Sequence, residues 1–315
     1  MSSNAHKIHE KMAGMEPTNH LLQSLQPEHS FLVAVDSDGC AFDAMGIKQS
    51  ECFCPMMIGY FELQPVARAA RECKIFADLF SRTRGANRHK TIVRILMELL
   101  PSHPMVKERN FRVPQYPYYF RWVKHPDSLL SDTGLEKAIV ASSNEEEKKE
   151  LSLALKWSRR VNELIAEIVR NVPPFPYVQE SLEKVCMSAD IIVCSATPNE
   201  ALEREWSEHD LRRYVKAVAG QERGSKTQHL KLLREKYDPS KILMLGDAMG
   251  DLEATRQNGV SFYPIIPGQE AVSWERFYKE AFEKFLEGTY NGAYEDALIR
   301  KFENCLPVSP NWQEI

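Results

Sequence analysis

Four short stretches of the chain carry residue types whose placement suits anion and metal chemistry. Asp36 and Asp38 stand in a D-x-D-G turn directly after five apolar residues, Phe31-Leu-Val-Ala-Val35. A carboxylate at the end of a buried strand costs free energy unless a cation or hydrogen-bond donors face it. Ser195 follows Ile191-Ile-Val-Cys194, and Ala196-Thr197-Pro198-Asn199 leads into a helical pattern. A hydroxyl beside the N–H groups of a helix start makes an anion site. Gly246-Asp247-Ala-Met-Gly-Asp251 places two acids four apart just after Ile242-Leu-Met-Leu245. With Asp36 they would form an oxygen-rich pocket suited to Mg2+, which takes few carboxylates and completes its shell with water and phosphate oxygens. Lys226, in Gly224-Ser-Lys-Thr227, could neutralise those acids and hold a phosphoryl oxygen. Each stretch also has an ordinary use: Asp36 and Asp38 as turn residues, Thr197, Asn199 or Asp247 as helix caps, Lys226 as a solvated side chain.

The elements around these residues decide between the two uses. The apolar runs 31–35, 191–194 and 242–245 end abruptly at polar residues, as strands buried on both faces of a parallel sheet do. Weaker strand patterns cover 214–218 and 260–266, and helical patterns cover 179–187, 227–237 and 252–258, the last stopped by Gly259. The alternation from about 175 to 266 predicts an α/β, Rossmann-like open parallel sheet with helices on both faces. Ligands of such sheets bind outside the carboxyl ends of the strands, where Asp36, Asp38, Ser195 and Asp247 would converge.

Residues 46–171 read differently. Apolar residues recur at helical spacing over 66–80, 92–100 and 151–168, the last entered through Ser142-Ser-Asn144 and an acidic turn. The aromatic stretch 116–122 would pack this region or wall a pocket. The region is expected to be a mostly α-helical insertion between the first two core strands, with residues 30–45 and 172–315 forming the core and 1–29 an extension, one helix lying near 19–25. Basic residues Arg82, Arg84, Arg88, His89 and Lys90 gather at a helix start; Arg84 and Arg88 are candidates for an anionic substrate tail, and a solvated helix end would use them equally well. Two further helices are expected over 274–286 and 294–302.

Composition narrows the class. Forty basic against forty-four acidic residues give a net charge of −4, with no basic footprint for nucleic acid and no polybasic membrane anchor. No apolar run approaches the roughly 20 residues of a spanning helix, and the first residues hold no hydrophobic signal core. Seven cysteines without zinc spacing suit free thiols in a reducing compartment, so a cytoplasmic protein is expected.

Taken in order, strand–DxDG, strand–Ser, Lys and strand–GDxxxD resemble the haloacid dehalogenase-like (HAD) hydrolase superfamily. The match covers 31–45 and about 172–268, and the insertion stands where that superfamily carries a helical (C1-type) cap. Cys40 departs from the usual Thr or Val, and the cap is longer than in the phosphoglycolate-phosphatase-like branch. The resemblance implies Asp36 as nucleophile, Asp38 as acid and base, and Ser195, Ala196 and Lys226 as phosphoryl contacts. It also implies Mg2+ held by Asp36, the Asp38 carbonyl, Asp247 and Asp251. An acid at Asp38 favours a phosphatase acting on a small-molecule phosphate ester, or a phosphomutase, over a dehalogenase. Two other readings stay open: a nucleotide-binding loop at Gly220–Thr227, which departs from G-x-x-x-x-G-K-[ST] at Ser225, and a non-catalytic binding module of the same fold.

Overall fold

In the computed structural model, which describes residues 20–313, five strands form one sheet: β1 (Phe31–Val35), β2 (Ala189–Cys194), β3 (Ala217–Ala219), β4 (Ile242–Gly246) and β5 (Ser261–Pro264). All pairings are parallel, in the order β3-β2-β1-β4-β5. The chain winds outward from β1 through β2 to β3, then returns to lay β4 on the other side of β1. The reversal leaves a crevice between the carboxyl ends of β1 and β4, the place where open α/β sheets bind ligands. Val35 pairs with Leu245, and Asp36 N–H donates to Leu245 O at 3.0 Å, so the residues after both strands emerge side by side.

Apart from the half-buried Phe31 the strands are buried, and their alternate residues feed two cores. Val33, Val35, Ile191, Val193, Leu243 and Leu245 face one, with Leu182, Trp206, Trp274 and Phe282 from covering helices. Leu32, Ala34, Ile192, Cys194, Ile242 and Met244 face the other, with Leu230, Leu233 and Ala254. Leu22 and Leu25 also pack in this second core, beside a short helix at His20–Gln23. The rest of the expected extension, 1–19, lies outside the described residues. The third strand falls at Ala217–Ala219 rather than 214–218, because Arg212–Tyr214 takes a 3-10 turn first. The fifth is shorter than its apolar run.

Between β1 and β2 the chain is helical. Its principal helices are α1 (Ala67–Leu79), α2 (Arg88–Arg94), which continues in helical form to Ser102, and α3 (Glu145–Ile168). Asn144 caps α3 by accepting from the N–H groups of Glu146 and Glu147. These helices enclose a separate apolar cluster running from Phe53 to Val161. Tyr119, Phe120 and Trp122 of the aromatic stretch pack inside it, Tyr119 and Trp122 stacked at 6.3 Å. The two connections to the sheet run together: Phe42 bridges Pro174, and Phe175 N–H donates to Ala41 O at 2.9 Å.

After β2 come α4 (Asn199–Glu208), α5 (Lys226–Leu233), α6 (Met249–Asn258) and α7 (Ala293–Cys305), with a helical stretch from Glu270 to Leu286 before the last. α7 covers the edge strand through Phe302 on Phe262. Beyond it the chain crosses to the helical insertion: Pro307 O accepts from Arg82 N–H, Val308 O accepts from Arg94, and Trp312 packs on Phe76 and His103.

Candidate active site

Asp36 sits at the first position after β1, with Oδ1 accepting the Ser37 N–H at 2.8 Å. Lys226, at the first turn of α5, reaches back across the crevice. Its Nζ lies 2.5 Å from Asp36 Oδ2 and also donates to Asp251 Oδ1. The start of α5 is fixed by a capping box in which Ser225 and Gln228 bond each other's backbone N–H groups. Asp251, in the first turn of α6, turns its Oδ2 back to the N–H groups of Asp247 and Ala248, at 3.1 and 3.0 Å. Asp251 thus closes the turn after β4, and Asp247 is left free of a capping role. Oxygens of Asp36, Asp247 and Asp251 lie within 4.8 Å of one another, and all three residues are buried.

Asp247 meets a cation from the insertion. Arg84 Nε donates to Asp247 Oδ2 at 2.6 Å, while Nη1 and Nη2 donate to Leu79 O and Gly39 O at 2.9 and 3.4 Å. Gly39 makes this approach possible. It has φ +77°, and a β-carbon there would meet Arg84 Nη2 at 2.5 Å and Asp247 Oδ2 at 2.7 Å. The other oxygen of Asp247, Oδ1, is buried without a hydrogen-bond partner.

Asp38 belongs to a second group of polar contacts. Its Oδ2 accepts from Lys48 Nζ at 2.5 Å and Thr197 Oγ1 at 2.8 Å, and its Oδ1 is buried without a partner. Behind it Ser37 Oγ donates to Glu205 Oε2 at 2.6 Å and accepts from Trp206 Nε1 at 3.0 Å. Ser195 directly follows β2, buried, its N–H donating to Ala219 O and its Oγ 3.4 Å from Thr197 N. Ala196 beside it is exposed at the rim.

Charge follows from this packing. Burial pushes the Asp36 carboxyl up to about 7 against the pull of Lys226, with Asp251 and Asp247 adding to the rise. Asp247 is pushed to about 6, again by burial, with Arg84 opposing. Burial alone would lower Lys226, but Asp251, Asp36 and Asp247 outweigh it and hold the ammonium above its ordinary value. Glu205 is pushed to about 7 by burial and the nearby Asp38.

Of the residues singled out in the sequence, Asp36, Lys226, Asp247 and Asp251 share one cluster, and Asp38 and Ser195 meet at Thr197, with Ala196 next to Ser195 in the chain. The two arginines depart from expectation. Arg84 is at the site, but its guanidinium is committed to Asp247 and two carbonyls, not free for a substrate tail. Arg88 is not brought to the acids. It lies over the Phe53 ring at 4.8 Å and donates to Ser158 and Asn162 inside the insertion. Lys226, which the nucleotide-loop reading would place on a phosphate, has its ammonium held by the Asp36 and Asp251 carboxylates. Lys48, Thr197, Glu205 and Gly39 were not singled out as site residues. Thr197 stood out only as a possible cap, and nothing in the local pattern marks Lys48 or Glu205, whose contacts with Asp38 and Ser37 depend on how the insertion and α4 pack.

No family model and no curated protein matches the chain. Solved structures do resemble it. A haloacid dehalogenase-like family hydrolase from Streptococcus pneumoniae aligns at TM-score 0.38 and 10% identity, over 78% of this chain and 90% of that one. A HAD-superfamily hydrolase of subfamily IA from Geobacter sulfurreducens aligns at 0.40 and 14%, over 75% and 88%. A protein described as a predicted phosphoglycolate phosphatase, from Haemophilus somnus, aligns at 0.43 and 12%, over 75% and 86%. Among the described residues no helix is long and apolar enough to cross a membrane.

Proposed function

We propose that the protein is a HAD-like phosphohydrolase, dependent on Mg2+, that cleaves a small phosphate ester through a phosphoryl group carried on Asp36. Residues 30–45 and 172–315 would form its core domain and 46–171 its cap. The reading is carried by one observation: a buried carboxylate at the sheet's reversal point is paired to Lys226 within a cluster of three acids, one of which has an orphaned oxygen. Such a cluster is costly to bury with two cations for three carboxylates, and a divalent ion would offset the cost.

The donors fit Mg2+. Asp247 Oδ1 is buried and unbonded, and the oxygens of Asp36, Asp247 and Asp251 lie close enough to share one ion. Asp36, the Asp38 carbonyl and Asp247 would hold it, with Asp251 behind them directly or through water. When bound, the ion would neutralise charge on the phosphoryl oxygens facing the Asp36 carboxylate.

Asp36 would attack phosphorus, forming an O–P bond as the bond to the leaving alcohol breaks. Asp38, across the crevice, would give that alcohol its proton through the oxygen not held by Lys48 and Thr197. In the second half Asp38 would take a proton from water as the water oxygen attacks phosphorus, releasing phosphate and freeing Asp36. Lys226, the Ser195 hydroxyl and the Ala196 N–H would bind the transferring oxygens.

The test is phosphate release from a panel of phosphorylated metabolites and p-nitrophenyl phosphate, with Mg2+ and after chelation. Asp36→Asn is expected to stay folded and lose at least ~10^3-fold in turnover. Near-wild-type turnover in that variant, or full activity after exhaustive chelation, would remove the assignment.

A further inference from the structure

We infer that Arg84 is a counter-ion lent to the acidic pocket by the helical insertion, and that it lowers the pocket's affinity for divalent cations. The inference rests on the metal reading of Asp36, Asp247 and Asp251 given above and adds a residue to it. Arg84 comes from the turn between α1 and α2, 163 positions away from Asp247 in sequence. It enters the crevice past Gly39 and is buried there, 5% exposed. Its Nε lies 2.6 Å from the Asp247 Oδ2, and its two other bonds, to Leu79 O and Gly39 O, fix the guanidinium plane.

The charge count follows. Three carboxylates meet two cations, Lys226 and Arg84. The residual single negative charge is less than the pocket would present if the arginine were withdrawn. A divalent ion on the orphaned Asp247 Oδ1 would sit roughly 2 Å from that oxygen. The guanidinium is bonded to the other oxygen of the same carboxylate. Two cations then share one carboxylate in a water-poor site, where like charges repel far more than in bulk water. Lys226 is not equivalent, because it bonds Asp36 and Asp251 and leaves Asp247 to Arg84. Since Arg84 belongs to the insertion and Asp247 to the sheet, docking of the insertion tunes how tightly the sheet holds its ion.

The test is Mn2+ binding, followed by calorimetry and by electron paramagnetic resonance at pH 8.5, on the full chain. Removing one positive charge beside the ion should tighten binding at least tenfold in Arg84→Met, while Arg84→Lys, which keeps the charge, stays within about threefold of wild type. Equal or weaker binding by Arg84→Met overturns the inference while leaving the metal site intact. If wild-type binding is absent, or survives Asp247→Asn unchanged, the metal reading fails and this inference with it. Should Arg84→Met not fold, the wild type decides. In protein labelled with 15N-arginine, the Nε–Hε resonance that disappears in Arg84→Lys should shift on Mg2+ addition. A resonance that stays in place through saturation overturns the proposal.

Discussion

Lys226→Met removes the ammonium that joins Asp36 to Asp251, and its cost should depend on pH in a defined way. The ammonium is 2.5 Å from Asp36 Oδ2, bonds Asp251 as well, and is largely shielded from water. Removing one partner of a buried ion pair costs about 3–5 kcal/mol when the survivor stays charged. Asp36 avoids part of this by binding a proton, since burial already raises its carboxyl to about 7 against the pull of Lys226. Without the lysine it rises further. Below pH 7 the carboxyl is then protonated in the folded state of both proteins, and the deficit comes from Asp251 losing its partner. Above pH 7 it ionises in the wild type but not in the variant, and the deficit widens by up to about 1.4 kcal/mol per pH unit. Urea denaturation in chelator should give a deficit of about 3 kcal/mol at pH 6 and 1–2 kcal/mol more at pH 8.5. Phosphate release should fall by at least ~10^3-fold. A deficit under about 1 kcal/mol, or one equal at both pH values, would refute the pairing.

Two other perturbations follow from the same geometry. Asp36 and Asp247 have folded pKa values raised by burial to about 7 and about 6, so the stability they contribute is present below the unfolded carboxylate range and lost as pH rises through 6–7. The metal-free protein should therefore melt at progressively lower temperature between about pH 4 and 7 and level off above, and excess Mg2+ should recover the loss at pH 8; a flat or rising profile below pH 7 in chelator would contradict it. Gly39→Ala sets a β-carbon at φ +77° against the Asp247 carboxylate, and should cost about 2 kcal/mol in denaturation and weaken divalent-ion binding. Unchanged stability would mean that the turn is free to move away from Asp247.

The strand ends were legible because burial on both faces leaves a short unbroken apolar run that closes at a polar turn residue. Asp36, Ser195 and Asp247 stand out that way, Asp251 by its spacing of four from Asp247, and Lys226 by its place in the order of the motifs. What decided β3 was less visible: residues 214–218 read as a strand, yet the 3-10 turn at Arg212–Tyr214 displaces it to Ala217–Ala219. The contacts made by the insertion were not legible. Arg84 and Arg88 lie four apart in one basic stretch, and their types are identical. One faces the acids and the other Phe53 and Ser158 because helix packing, not local pattern, orients the turn that carries them. Lys48 reaches Asp38 for the same reason.

The last residues of the chain carry a mechanical consequence. Two adjoining connections, near Phe42 and Pro174, would by themselves let the helical insertion swing like a door on one hinge. The segment past Cys305 leaves the sheet's edge helix and grips that door on its far side through Pro307, Val308 and Trp312. A body pinned at two separated places cannot rotate about either one alone. Any swing of the insertion about that hinge would therefore need Trp312 to leave Phe76 and His103, or the edge helix to travel with it. These contacts would thereby restrain the insertion without supplying a reacting group to the crevice.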